Sequence, residues 1–222
     1  MRNGWFVVWR AGRRLAIGWM ACAHSHNCLS ILHKNAHGNN TACTAQDRGR
    51  ANWTPVYHWD RLLIMAQALH LRQCGEAGGK AALLPKIVSG MEFWKANNPL
   101  CLNWWFNDFG VPMTLDKFLV IMANTTSANG GAALPQELFD YGLVLLSRGS
   151  DPMWHPPPKP RGGPYTGANL VWSLQIDVQR GALAGNASLV GHAFSRMWES
   201  LVVSPQAGDG IMADGSFHQV RE

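Results

Sequence analysis

Residues 54–69 read TPVYHWDRLLIMAQAL. Thr54 followed by Pro55 is a helix-start pattern. A hydroxyl can take a free backbone N–H, and proline lacks the N–H that the first turn leaves unpaired. Trp59, Leu62, Leu63, Ala66 and Leu69 then recur at helical spacing and mark one apolar face. The spacing predicts a helix that ends near Cys74 and Gly75.

The same period continues along the chain. Leu84, Ile87, Val88, Met91 and Trp94 line one side of a second predicted helix, from Lys80 to Ala96, with Pro85 early in it. NWWFNDFGVP, 103–112, is expected to be a short helix that Pro112 ends or kinks, with Thr114 capping another helix through about Asn124. Leu134, Pro135, Gln136 and Glu137 open a helix that closes at Arg148 and Gly149. SDPMWHPPPKPRGGP, 150–164, holds six prolines and is expected to be a long loop. Helices resume over 167–183 and 188–202, the second capped by Asn186, and AGDGIMADGSFHQVRE closes the chain as loop. Almost no segment alternates with period two, and no strict repeat is present. The reading is all-α, with antiparallel helical hairpins as the unit.

The chain has 222 residues, enough for one large domain or a piece of something larger. Residues 1–52 show no sustained period and form an irregular N-terminal segment; 53–222 are the helical domain. A net charge of +5 suits an anionic partner: nucleic acid, acidic lipid or acidic polysaccharide. The basic residues are scattered and not interleaved with aromatics, which argues against nucleic acid. No apolar run is long enough for a membrane-spanning helix. Arg10, Arg13 and Arg14 before LAIGWMACA resemble a secretory signal. Sequons at Asn39, Asn52, Asn124 and Asn186 suit an extracellular setting. Five cysteines without tight spacing do not read as a disulfide framework. Cys22, His24, His26, Cys28, His33, His37 and Cys43 raise zinc, and His33 and His37 have ligand spacing on a helix. No close Cys pair accompanies them, so no metal is expected. His58, His70 and His192 read as surface or satisfied core residues.

Eleven tryptophans are many for a chain with 15% charged residues. A doublet such as Trp104 and Trp105 either fills a core or offers a stacking wall to a ligand. Three blocks lie where helices break, as sites usually do: Asn103-Trp104-Trp105 with Phe109-Gly110-Val111-Pro112, then Thr166-Gly167-Ala168-Asn169, then Asp214-Gly215-Ser216-Phe217-His218-Gln219. In order and spacing they resemble the NWW, TGAN and DGSF-x-[QD]-H blocks of the N-terminal helical domain of polysaccharide lyase family 8, which includes hyaluronan, chondroitin AC and xanthan lyases. The resemblance covers roughly residues 53–219.

The resemblance implies an incomplete (α/α) toroid and β-elimination on uronic-acid-containing polysaccharide of hyaluronan, chondroitin or xanthan type, with no metal or other cofactor. In the family the TGAN asparagine binds the uronate carboxylate, a role that falls to Asn169. Removing the proton α to a carboxylate builds negative charge there, and neutral donors aimed at it favour the transition state. The same resemblance gives Trp104 and Trp105 the aromatic patch that positions the sugar chain, and Asn103 a supporting polar contact. The bland alternatives are core filling for the tryptophans and helix capping for Asn169.

The chain departs from the pattern in two places. The family's third aromatic before TGAN has no match at its usual spacing, and Tyr165 is the nearest substitute. The family's catalytic His follows DGSF-x-[QD], where this chain has Val220; its Tyr and an Arg lie further on than Glu222. His218 is two positions off. The expectation is an incomplete lyase domain, inactive as written, with a non-catalytic acidic-glycan-binding module as the alternative. Gln-Val-Arg-Glu can be encoded CAG-GTG-CGT-GAG, which reads as an exon end followed by a splice donor. A spliced message is therefore expected to place His after Gln219.

Overall fold

The chain enters its first helix through a 3-10 turn, Thr54–Val56, so α1 begins only at Tyr57 (Tyr57–His70). No side-chain cap is made there; Pro55 rather than the Thr54 hydroxyl shapes the entry. The structure, a computed structural model, describes residues 53–70, 79–123, 134–150, 165–200 and 210–218. The N-terminal segment with its signal-like stretch and Cys/His cluster, the predicted end of the first helix, most of the Pro-rich loop and the last four residues lie outside these.

The predicted face of α1 is the buried one: Trp59, Leu62 and Ala66 are fully enclosed. α2 (Gly79–Asn97) packs against it. Pro85 lies inside this helix, in its N-terminal half and on its exposed side. Gly90 brings the two helices close, since a Cβ there would lie 2.8 Å from Leu62 Cδ2. Beside it the buried His58 donates from Nε2 to the Gly90 carbonyl, 3.0 Å away. Trp94 meets Trp53, Trp59 and His58 ring to ring, and Trp59 meets Phe118. Three tryptophans are thus core filling.

α3 (Pro112–Ala123) is the central helix, in contact with α1 and with the two helices that follow, α4 (Gln136–Leu146) and α5 (Gly167–Leu183). Pro112 follows the short helical turn that ends at Gly110, as expected, and also opens this helix, as a proline at the first position is free to do. Thr114, expected as its cap, lies inside it and donates its hydroxyl to Asp60 Oδ1 at 3.3 Å. Leu115, Phe118, Leu119 and Met122 are buried. So is Asp116, whose Oδ1 accepts the Lys117 N–H. Burial pushes the Asp116 carboxyl up to about 6. A raised folded-state value means the native state holds the proton more tightly than the unfolded chain. Stability is therefore lost as pH rises from about 4 to about 6. Asp116→Asn is expected to stabilise the chain by about 2 kcal/mol at pH 8 and by nothing at pH 3.5, in chemical denaturation at the two pH values.

α5 turns through residues 184–186 into α6 (Ala187–Ser200). Asn186 caps α6 as expected, its Oδ1 accepting the Leu189 N–H at 3.0 Å. The chain end is not wholly loop. Gly210–Ile211 pairs antiparallel with Phe217–His218. Asp214 closes the turn between them, its Oδ1 accepting from Ser216 N and Oγ at 2.9 and 2.6 Å. The other regular elements of the described structure are helical.

Candidate functional site

The segment between α2 and α3 is held by two asparagines. Asn103 Oδ1 accepts the Trp105 N–H at 3.2 Å and so starts the turn that carries the tryptophan doublet. Asn107, 1% exposed, pairs with both backbone groups of Cys101: Oδ1 accepts from N at 2.8 Å and Nδ2 donates to O at 2.7 Å. Phe106–Gly110 then forms one π-helical turn, closed by the Val111 N–H on the Phe106 carbonyl at 2.9 Å. All five of its residues are buried. Trp104 and Trp105, at its open end, are half-buried. Such wide turns often mark functional positions.

The opposite side is the N-terminus of α5. Gly167 has φ +53°, a left-handed entry that favours glycine. Thr166 stands at the cap position without a side-chain cap bond. Asn169 is the third residue of the helix, half-buried, and no described residue pairs with its amide. The two sides meet through rings. Trp104 stacks on Tyr165, centroids 5.6 Å apart at 18°. Trp105 meets Trp172 edge-on at 5.7 Å. Phe109 packs against both Tyr165 and Trp172. Asn169 lies in the chain between those two rings, so the fold brings the NWW and TGAN segments together.

A polar layer lies beneath. The Tyr165 hydroxyl donates to the buried Asp108 carboxylate. Burial and that carboxylate hold the hydroxyl well above its ordinary range. Arg148, buried in the turn after α4, donates to Asn98 Oδ1 at 2.6 Å. Burial lowers its guanidinium to about 10, with Tyr141 and Asp108 opposing the shift, so it stays charged at neutral pH. Gly149 lets this turn press on the π-helical one, since a Cβ there would lie 2.9 Å from the Asp108 carbonyl. Ser150 donates to Asp177 Oδ1 at 2.9 Å, tying the turn to α5.

A family model for the N-terminal α-helical domain of polysaccharide lyase family 8 matches residues 24–221. The chain belongs to polysaccharide lyase family 8. Among solved structures it is similar to a chondroitinase AC lyase studied as enzyme–oligosaccharide complexes (20% identity, TM-score 0.69, 90% of this chain and 27% of that one). It is also similar to the Streptomyces coelicolor A3 chondroitin AC lyase in complex with chondroitin sulphate (21%, 0.59, 99% and 27%). A third is the Paenibacillus xanthan lyase (22%, 0.53, 90% and 18%). No curated protein sequence matches. The family 8 chain thus spans about a quarter or less of these lyases, and its fold is the expected incomplete (α/α) toroid.

Within this family 8 domain the third block stands apart from the first two in kind: it is a hairpin, whose shaping hydrogen bonds run within it. The His218 backbone pairs with Gly210; Val220 lies outside the described residues. Among the described residues Cys101 is disulfide-bonded. Among the described residues no group of three His, Cys, Asp or Glu side chains is placed to hold a metal ion, and no helix is long and apolar enough to cross a membrane. Sequence reading missed Asn107, Asp108 and Arg148. The available signal was two adjacent polar residues, Asn107 and Asp108, inside an apolar stretch, where burial demands partners.

Proposed function

We propose that this domain forms part of the cleft of a lyase that cleaves uronic-acid-containing polysaccharide by β-elimination. Trp104 and Trp105 form the wall against which the sugar chain lies. Asn169 donates its free amide to the uronate carboxylate, where charge grows as the α-proton leaves. The uncapped first turn of α5 adds backbone dipoles of the right sign. Asn103 acts at one remove, by setting the turn of the doublet. The observation that carries the reading is the paired ring contact, Trp104 on Tyr165 and Trp105 on Trp172, which seats the NWW turn beside the helix whose first turn holds Asn169. The basic balance suits a polyanion. The Cys101 disulfide supports a secreted protein.

A second reading, a binding module without elimination chemistry, is favoured by Val220, which stands where the family pattern has its histidine. One experiment separates the two. Hyaluronan, chondroitin and xanthan are titrated against the chain by tryptophan fluorescence, and the same mixtures are followed for the ultraviolet absorbance of unsaturated uronate. Binding with rising absorbance supports the lyase; binding without it supports the module; no binding sinks both. Trp104→Ala is expected to weaken binding about tenfold or more.

A further inference from the structure

We propose that Asp108 is a positioning residue: through the Tyr165 hydroxyl it sets the Tyr165–Trp104 ring pair and so the Trp104 half of the glycan wall. This rests on the glycan reading above. Asp108 is 1% exposed, so its carboxylate does not itself meet a polymer. It accepts the Tyr165 hydroxyl, and the Tyr165 ring in turn lies flat on Trp104 at 5.6 Å and edge-on to Phe109 at 4.9 Å. The hydrogen bond therefore adds a fixed polar anchor to a half-buried ring that is otherwise held only by ring contacts. Tyr165 also stands four residues before Asn169, just ahead of the left-handed Gly167. Fixing its ring fixes how the chain enters α5, and so where the Asn169 amide stands. Arg148 supplies the opposite charge that lets a carboxylate be buried here. The stack has a second consequence: Tyr165 covers one face of Trp104, so a sugar ring can use only the other.

The test is a double-mutant cycle on the full chain with Tyr165→Phe, Asp108→Ala and both together. Tyr165→Phe keeps the ring and removes only the hydroxyl, so it decides the matter even where Asp108→Ala does not fold. Gly181→Ala, which crowds Val190 in the α5–α6 hairpin away from the rings, is the control for plain loss of stability. Affinity for the uronate polymer and the near-ultraviolet circular dichroism of the ring pair are read together. Each single change is expected to weaken binding about tenfold and to flatten the dichroism, and the double to do no more than the worse single. The control keeps wild-type affinity and dichroism. Wild-type affinity and dichroism in Tyr165→Phe, or additive effects in the cycle, overturn the proposal. If the wild-type chain binds no uronate polymer, the glycan reading fails on its own; the dichroism cycle still decides whether Asp108 sets the rings.

Discussion

Asn107→Ala is expected to lower the unfolding free energy by about 3 kcal/mol. The change removes no large apolar area. It removes the partner of two buried backbone groups at once, the N–H and the carbonyl of Cys101, each bonded at under 3 Å. A buried donor or acceptor left unpaired costs about 1–3 kcal/mol, and here there are two. The effect should also reach the site, because the Cys101–Asn107 pairing closes the loop that presents Asn103 and the tryptophan doublet. Chemical denaturation measures the first effect; quenching of tryptophan fluorescence by an added solute measures the second. Asn107→Asp is the sharper probe. A carboxylate still accepts from the Cys101 N–H but faces the Cys101 carbonyl with a lone pair, so its loss should be comparable at neutral pH and partly relieved in acid. Stability within about 0.5 kcal/mol of wild type in both variants would mean the paired bonds are not what holds this loop.

The second large effect is acid lability through His58. Burial lowers its folded-state value to about 4, with the Gly90 bond opposing the shift and Arg61 adding to it. The unfolded chain then binds the proton more readily than the folded one. The stabilising difference is complete above about 6.5 and is lost as pH falls towards about 4. The size is about 3 kcal/mol over that window as an upper figure. His58→Gln keeps an N–H for the Gly90 carbonyl and removes the titration. Denaturation at pH 7 and pH 4 is expected to show wild type losing up to that amount more than the variant. Equal losses would sink the assignment. Asp116 runs the other way across the lower part of the same range, so the two single variants together define the acid limb.

The helical elements were legible because each needs only local information. Trp59, Leu62 and Ala66 declare one face by spacing, and the packing bears the face out. Asn186 declares a cap by its position before an apolar run, and it is one. Thr114 failed as a cap because proline can act on both sides of a helix boundary: the short turn ends at Gly110, and α3 begins on Pro112 itself. The short pairing of Gly210–Ile211 with Phe217–His218 carries too few residues to show alternation.

The sequence by itself determined an all-helical chain and its family, because apolar period and three short motifs are properties of neighbours along the backbone. It also named Asn103, Trp104, Trp105 and Asn169 as the residues to watch. Whether those motifs meet was decided only in three dimensions, by rings from residues 104, 105, 165 and 172 that lie far apart in the chain. The division of tryptophans between core and site was likewise invisible. Trp53, Trp59 and Trp94 are buried, while Trp104 and Trp105 stand half-open, and an indole reads the same in both places. The polar layer of Asp108, Tyr165 and Arg148 belongs to the tertiary structure alone. A buried charge is stable only beside partners that the fold delivers, and no local pattern announces which those will be.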